Sequence, residues 1–345
     1  MRLCATVLLA TAMNTCAFGQ PVSRPGIQLS QLGNLQLQVQ ELHAKADFDK
    51  LDELAAKLRT NGERLPDGTW KIMHFYEAFL AQPVLESAQA KIRSMARKNG
   101  DELARIVKDM EAWIARSPGS VTAHAALASA LIEYAWNARG GGLADTVSDE
   151  GWALFRERLA RARRVCEDAV RLTSRCSAIP CLMLDIALGE GWDAAKYDAL
   201  FDEAVKKTPC LVDLYLAKAR YLLPRWHGKP GEWESFAAGV TRSQVGECAP
   251  GLYFRIVFRN AMLTNRDEIR QAGIDKELLR QSIRAELHAW PKSGALRDRA
   301  CYAACMVGDR DLARELFEST PDEWIRVSFP TQESYSQARR WALAR

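Results

Sequence analysis

Residues 209–222 read Pro-Cys-Leu-Val-Asp-Leu-Tyr-Leu-Ala-Lys-Ala-Arg-Tyr-Leu, and the spacing within this stretch recurs twice elsewhere in the chain. Small or apolar residues lie ten and thirteen positions after a proline in three segments: Ala128 and Leu131 after Pro118, Ala219 and Leu222 after Pro209, and Cys301 and Ala304 after Pro291. Short residues at this interval on an amphipathic helix allow a second helix to approach closely. The spacing therefore predicts an all-α chain that is built from repeated helix pairs.

Length and composition are those of a folded protein, with 345 residues of which 48% are hydrophobic and 26% charged. The formal net charge is +4, from 47 basic and 43 acidic residues. A nucleic-acid-binding surface requires a concentrated basic stripe. The densest basic run, 156–164, shares its predicted helix with apolar residues on the opposite face, which is typical of a solvated helix surface. We therefore expect no nucleic-acid partner.

The first nineteen residues have the pattern of a secretory signal peptide. Arg2 is followed by an apolar run over residues 3–13, and Ala17-Phe18-Gly19 places small residues at the −3 and −1 positions of a cleavage site. The apolar run is shorter than the roughly 20 residues that a spanning helix requires. We expect cleavage before Gln20, a periplasmic or secreted protein, and no transmembrane helix in the mature chain. An uncleaved N-terminal anchor is the alternative.

The cysteine count leaves at least one free thiol in a monomer. Removal of residues 1–19 leaves seven of the nine cysteines, at positions 166, 176, 181, 210, 248, 301 and 305. Cys301 and Cys305 lie one helical turn apart, as two small core residues would. Cys176 and Cys181 flank the break before a new helix and are the predicted local disulfide. No CxxC pair occurs, and the five histidines are scattered, so no local metal site and no cofactor are predicted.

Helical periodicity divides the mature chain into three parts. A leader and an N-terminal helix occupy 20–46, a helical-repeat domain 47–327, and a C-terminal helix 328–345. Sustained two-residue alternation, which would indicate strands, is almost absent. Apolar stripes predict the early helices at 29–42, 48–58, 70–81, 85–98 and 101–116.

Two segments fit one 34-residue template, the first beginning at Ala178 and the second at Gly294. This pattern resembles the tetratricopeptide repeat, and the resemblance implies antiparallel helix pairs that are stacked as an α-solenoid. The repeats are degenerate, because Asp185, Tyr197 and Thr320 occupy positions where that family has small residues. These departures argue against ideal superhelical geometry. The helix pairs themselves are still expected.

The repeats that begin at Val121 and Val212 have a first helix but no tight turn to a second helix. Two inserted loops, 137–147 and 223–232, replace the turn and carry Trp, Gly and Arg in three motifs: Ala135-Trp136-Asn137-Ala138-Arg139, Gly151-Trp152 and Leu223-Pro224-Arg225-Trp226. With these motifs the chain, from about Phe48 to Phe317, resembles an uncharacterised bacterial family, domain of unknown function 4034. The resemblance implies an exported or envelope-associated helical-repeat protein and supplies no activity and no catalytic residues.

Candidate binding residues follow from these two patterns. In the inserted loops they are Arg139, Arg225, Trp226, His227 and Trp233; on the inner face of the first helices they are Asp213, Arg220 and Tyr302. The tryptophans either fill the space left by the missing turns or form a binding platform with arginines at its edge. The inner face of stacked helix pairs is where peptides lie in such superhelices. We therefore expect a scaffold that binds a protein or peptide partner in the cell envelope.

Two other functions stay open at this point. The first is an enzyme with a site formed by the loops 137–152 and 223–234, in which His227 would work with Arg139, Glu150 or Glu232. That hypothesis requires His227 within hydrogen-bonding reach of a carboxylate beside a pocket. The second is a purely structural component of the envelope.

Overall fold

The structure is a computed structural model, and it describes residues 30–81, 100–142, 144–172, 175–243, 246–322, 324 and 327–344. The predicted signal peptide, the leader before residue 30 and the predicted helix at 85–98 lie outside these residues. The described residues are helical and contain no β-strand; a single bridge joins Arg64 and Trp70. The predicted all-α class is confirmed.

The helices run in the following order: α1 Gln31–Ala44, α2 Phe48–Asn61, α3 Lys71–Ala78, α4 Gly100–Arg116, α5 Val121–Arg139, α6 Asp149–Arg171, α7 Ala178–Glu190, α8 Ala194–Lys207, α9 Val212–Tyr221, α10 Glu232–Arg242, α11 Ala249–Leu263, α12 Arg266–Gln271, α13 Lys276–Ala289, α14 Gly294–Met306, α15 Arg310–Glu318 and α16 Gln332–Leu343. A short 3₁₀ turn, Ala144–Thr146, separates α5 from α6. Polar side chains cap several starts: Ser120, Asp193 and Asp309 each accept a hydrogen bond from the backbone three residues on. The four predicted repeat starts are the first residues of α5, α7, α9 and α14.

The helices from α5 to α15 form two layers. In the first layer, α5, α7, α9, α11 and α14 contact one another in chain order. In the second, α6, α8, α10 and α15 each pack on the helix that precedes them, and α13 packs on α11. Because each pair reverses direction, the first-layer helices all begin at one edge of the layer and end at the other. We call these the start edge (118–120, 175–177, 208–211, 246–248 and 290–293) and the end edge (140–142, 144–148, 191–193, 222–231, 264–265 and 307–309).

Small residues lie where the spacing predicts close helix contacts. Ala128 on α5 and Ala219 on α9 are fully buried, and Cys301 on α14 is buried as well. The sequence did not single out Gly189 on α7, where a Cβ atom would lie 2.5 Å from Leu159 Cδ1 on α6. Larger residues at these positions would push neighbouring helices apart.

A segment near the N-terminus crosses the start edge. We call residues 59–79 the strap. Its first residue, Arg59, donates a hydrogen bond to Thr122 Oγ1 on α5 at 3.1 Å. Farther along, Trp70 Nε1 donates to the Cys210 carbonyl oxygen at 3.0 Å, and Tyr76 Oη lies 3.2 Å from Cys176 Sγ. The strap therefore joins the first turn of α5 to the turns that precede α7 and α9.

The middle of the strap is attached to α11, α13 and α14 by a buried charge network. Arg255 pairs with Glu286 at 2.5 Å and also donates to the Asp67 carbonyl oxygen, while the Asp67 carboxylate pairs with Arg299 at 2.8 Å. Gly68 follows with φ +79°, and a Cβ atom there would lie 2.4 Å from the Trp290 ring. A glycine is required at this position for both reasons.

The predicted Cys176–Cys181 disulfide is wrong. The disulfide joins Cys210 and Cys248, whose Cα atoms are 5.5 Å apart, and it connects the turns before α9 and α11 at the start edge. Cys176 is instead a buried thiol beside the Tyr76 hydroxyl, and Cys181 is buried in the first turns of α7. The pair that forms is 38 residues apart in sequence, so only the stacking of the helix pairs brings it together.

Candidate functional site

The end of α5 meets the second inserted loop at the end edge. Trp136, near the end of α5, is buried. Its ring makes an edge-to-face contact with the half-buried Trp226 of the second loop, and the two ring centroids are 5.6 Å apart. The Arg220 guanidinium, on the last turn of α9, lies 5.1 Å from the Trp136 centroid and 5.4 Å from the Trp226 centroid. An arginine between two indole faces is a recurrent element of binding sites.

Arg220 also faces a carboxylate of the neighbouring helix. Asp185 Oδ1 on α7 lies 3.5 Å from Arg220 Nη1, and the two side chains are 38% and 24% exposed. Desolvation nevertheless raises the pKa of Asp185 and lowers the pKa of Arg220. Groups that water still reaches, but that are surrounded by protein, line a cleft. Among the described residues, Asp185 is the one carboxylate within ion-pair distance of Arg220, so most of the five guanidinium N–H donors remain available.

Asp213 extends this cleft toward the start of α9. It lies seven residues before Arg220, on the same helical face. Desolvation, followed by the negative charge of Glu77 on the strap, raises the pKa of Asp213 to about 6, while His74 and Arg259 oppose that rise. The positive charge of Arg259, on α11, also lowers the pKa of Asp185. We call the group of Asp185, Asp213, Arg220 and Arg259, with Trp136 and Trp226, the Arg220 cleft.

A buried hydroxyl adjoins the cleft. Tyr197 on α8 is fully buried, its ring stacks on Tyr221 with centroids 3.9 Å apart, and its Oη has no hydrogen-bond partner among the described residues. Burial raises the pKa of Tyr197, and the charge of Asp185 raises it further. The hydroxyl is therefore a neutral donor beside a carboxylate, and a buried donor is costly when it has no acceptor.

Arg139 and Trp233, both candidates from the sequence, have packing roles. Arg139 donates to the carbonyl oxygens of Gly140 and Gly142, at 3.2 and 2.6 Å, and its guanidinium lies 5.5 Å from the Trp152 centroid. It therefore closes its own glycine turn. Trp233 is buried in the first turn of α10 and is part of the core.

Arg225 and His227 lie on the outer side of the second loop. Arg225 is exposed, as predicted, but its guanidinium donates to the Leu263 carbonyl oxygen at the end of α11, at 2.5 Å. His227 is exposed and stacks on Tyr221 with centroids 4.6 Å apart, and its Nε2 lies 3.3 Å from the Leu188 carbonyl oxygen. Both side chains attach the loop to neighbouring helices.

The acid–base arrangement that an enzyme would require at these loops is not assembled in the described residues. No carboxylate of that part of the chain lies within ion-pair distance of His227. Glu232 accepts a hydrogen bond from the Lys229 backbone N–H at 2.8 Å, and Glu150 is exposed at the start of α6. Within the same residues, no group of three or more His, Cys, Asp or Glu side chains has a metal-binding arrangement.

Tyr302 belongs to a different region of the molecule. It lies on α14, two first-layer helices beyond α9, with its ring 6.1 Å from Phe258 and 5.3 Å from Phe329. The structure therefore brings together Arg220 and Trp226 of the candidate residues, places Asp213 about two turns from Arg220 on the same helix, and separates Tyr302 from them.

Two charged residues of the cleft were not candidates from the sequence. Asp185 was noted as a departure from the repeat pattern, and a carboxylate at a position that normally holds a small residue was the available signal. Arg259 is exposed on α11, and nothing in its local sequence distinguishes it from other surface arginines.

Comparison with known proteins gives no relative: no family model, no curated protein and no solved structure matches this chain. In the part of the chain that the structure describes, no helix combines the length and the apolar character needed to cross a membrane.

Proposed function

We propose that this chain is an exported helical-repeat scaffold that binds a peptide, or an extended segment of a protein, in the Arg220 cleft. The observation that carries the proposal is Arg220 itself, half-buried between two indole rings and with a single carboxylate nearby. Export rests on the signal-peptide pattern, and an α-solenoid of tetratricopeptide type rests on the repeat template and the two helix layers. The resemblance to domain of unknown function 4034 agrees with both and remains a prediction.

The chemistry of the cleft suits a polypeptide. Arg220 offers hydrogen-bond donors for carbonyl or carboxylate oxygens, and Asp185 offers an acceptor for N–H groups. The faces of Trp136 and Trp226 provide apolar area for side chains. Donors, acceptors and apolar area close together are what the alternating groups of an extended peptide require.

The strap limits where a ligand can lie. It occupies the start edge of α5, α7 and α9 through Arg59, Trp70 and Tyr76. The end-edge half of the first layer carries Arg220 and the two indoles. A bound segment would therefore run along the end-edge half, across α7, α9 and α11.

The test is selection of random peptides on immobilised residues 20–345, followed by titration of selected peptides into purified variants. We expect Arg220→Gln to weaken the binding of selected peptides at least about tenfold, since loss of an interaction worth about 1.4 kcal/mol lowers the affinity by that factor. Arg284→Gln is the matched control, because Arg284 pairs with Glu315 in an exposed position on α13. Melting temperatures of both variants separate lost binding from lost folding.

The proposal fails if no peptide is selected, or if selected peptides bind wild type and Arg220→Gln equally well. It also fails if Arg284→Gln weakens binding as strongly, because the interaction would then depend on net charge rather than on the cleft.

A further inference from the structure

A second cavity lies at the other end of the first layer, between α12, α14 and α16. Its volume is about 370 Å³, within the range of small-molecule sites. Tyr302, Met306, Phe329 and Trp341 contribute apolar and aromatic surface to its lining. This cavity shares no residue with the Arg220 cleft, and the inference below does not depend on the proposed function.

Two arginines supply all the formal charge of the lining. Arg266 and Arg270 lie four residues apart on α12 and so share one face of that helix, and both line the cavity. No lining residue is Asp or Glu. Burial raises the pKa of the Cys305 thiol, which also lines the cavity, to about 12, so that side chain stays neutral.

The two guanidinium groups have no carboxylate partner within the described residues. Neither arginine forms an ion pair there, although Asp267 and Glu268 lie on the same helix. Asp267 and Glu268 are one and two positions after Arg266 and project from other faces than Arg266, and Asp267, three positions before Arg270, forms no ion pair with it in the described residues. Glu268 also accepts a hydrogen bond from Asn265, at 2.5 Å. Like charges four residues apart on a helix are unfavourable, and an anion bound between them removes that repulsion.

We propose that this cavity binds a carboxylate attached to an apolar group, with the carboxylate on Arg266 and Arg270 and the apolar group against Tyr302, Phe329 and Trp341. Two planar guanidinium groups match one carboxylate, and a cavity of this size with aromatic side chains in its lining has room for a phenylalanine-like side chain with its neighbouring atoms. Two sources have this chemistry: a free aryl carboxylic acid and the C-terminal residue of a polypeptide.

The experiment is calorimetric titration of residues 20–345 with 3-phenylpropionate and with its uncharged amide. In a second arm the peptide Ala-Ala-Ala-Phe is titrated with a free and with an amidated C-terminus. The variants are R266Q/R270Q and, as a matched control, R105Q/R164Q. The control removes the same charge from exposed arginines on α4 and α6, far from the cavity. All four arginines are exposed, so both double variants are expected to fold, and their melting temperatures verify this.

We expect at least one carboxylate probe to bind, its uncharged counterpart to bind at least about tenfold more weakly, and R266Q/R270Q to lose at least about tenfold in affinity while R105Q/R164Q does not. Binding of 3-phenylpropionate alone assigns the cavity to a small acid, and binding of the free peptide alone assigns it to a polypeptide terminus. The proposal is overturned if neither carboxylate binds at millimolar concentration, if the amides bind equally well, or if R266Q/R270Q binds like wild type.

Discussion

The two edges of the first helix layer differ in how they are closed. At the start edge, the strap and the Cys210–Cys248 disulfide join successive turns to one another, and the buried Arg255–Glu286 pair holds the strap through Asp67. At the end edge, Trp226 and Arg220 are half-buried, and the second inserted loop is held through exposed side chains such as Arg225 and His227. The comparison indicates that one edge of the same helices maintains the stack while the other remains accessible to a ligand.

The largest effect should come from breaking the buried charge pair at the start edge. Arg255 and Glu286 are 8% and 7% exposed as side chains, so Glu286→Ala leaves a buried guanidinium without its carboxylate. We expect this substitution to reduce the free energy of unfolding by about 3–5 kcal/mol. Glu315→Ala, which breaks the exposed pair with Arg284, should cost less than about 1 kcal/mol. Urea unfolding of both variants measures the difference, and equal losses would contradict a special role for the start edge.

Trp233 and Trp226 lie close together in sequence, and their substitution compares a core position with a position at the end edge. Trp233→Ala should cost about 3–5 kcal/mol, because Trp233 is 4% exposed and its removal empties a core site. Trp226 is half-buried, so Trp226→Ala should cost only about 1–3 kcal/mol, less than emptying a core position. Thermal and urea unfolding test the order. If Trp226→Ala is the more destabilised variant, Trp226 is a core residue and the end edge is as closed as the start edge.

The disulfide is a third difference between the edges. Replacing Cys210 and Cys248 together by serine should cost about 2–4 kcal/mol, since the closed loop of 38 residues limits the unfolded chain. The other cysteines of residues 20–345 should titrate as five free thiols after unfolding without reductant. Cys301→Ser is the control that leaves the disulfide intact. Peptide mapping that recovers a Cys176–Cys181 disulfide would contradict this pairing.

Much of this fold could be read from local sequence patterns. The predicted starts at Val121, Ala178, Val212 and Gly294 are the first residues of α5, α7, α9 and α14, because each start depends on a short-range helical pattern. The Cys210–Cys248 pair and the strap could not be found in this way. Both depend on which turns become neighbours once the pairs are stacked, and that information is spread over the whole chain.

The candidate site was predictable only in part, for a similar reason. Arg220 and Asp213 follow from their positions on the inner face of one helix, and Trp226 from a loop with unusual composition. Asp185 completes the site from a neighbouring helix. Its importance depends on the 3.5 Å approach of Arg220 rather than on any feature of its own segment.

A fourth prediction concerns pH. The pKa of Asp213 is raised from 3.8 to about 6, mainly by desolvation, so the folded chain holds this proton more tightly than the unfolded chain does. The resulting stability is fully present below about pH 4 and is lost as the pH rises through about 6. Asp213→Asn removes the free-energy cost of holding a charged carboxylate at this position in the folded chain. The variant should exceed wild type by about 1–2 kcal/mol near pH 7.5 and match it near pH 4, after allowance for partial solvent access.

Urea unfolding of wild type and Asp213→Asn at both pH values measures this difference. Asp202→Asn, at an exposed carboxyl on α8, is the control and should show little change between the two pH values. A variant that is less stable than wild type near pH 7.5 would show that the Asp213 carboxylate is held by favourable interactions in the folded chain.

The smallest effect is expected at Arg225, and it decides which arginine of the end edge recognises the ligand. The Arg225 side chain is exposed and makes one hydrogen bond to the Leu263 carbonyl oxygen, so Arg225→Ala should cost about 0.5–1.5 kcal/mol. The Arg220 guanidinium stays charged in the variant as in wild type, because an arginine side chain is not deprotonated in proteins. The affinity of selected peptides for Arg225→Ala should therefore be within about threefold of their affinity for wild type. For Arg220→Gln the affinity should fall at least about tenfold. Arg225→Lys, which retains a charged donor, is the conservative comparison. If Arg225→Ala abolishes binding at unchanged stability, recognition lies on the rim of the loop and not in the cleft. If it unfolds the protein, the contact with Leu263 is a structural joint, and the end edge is closed in the same manner as the start edge.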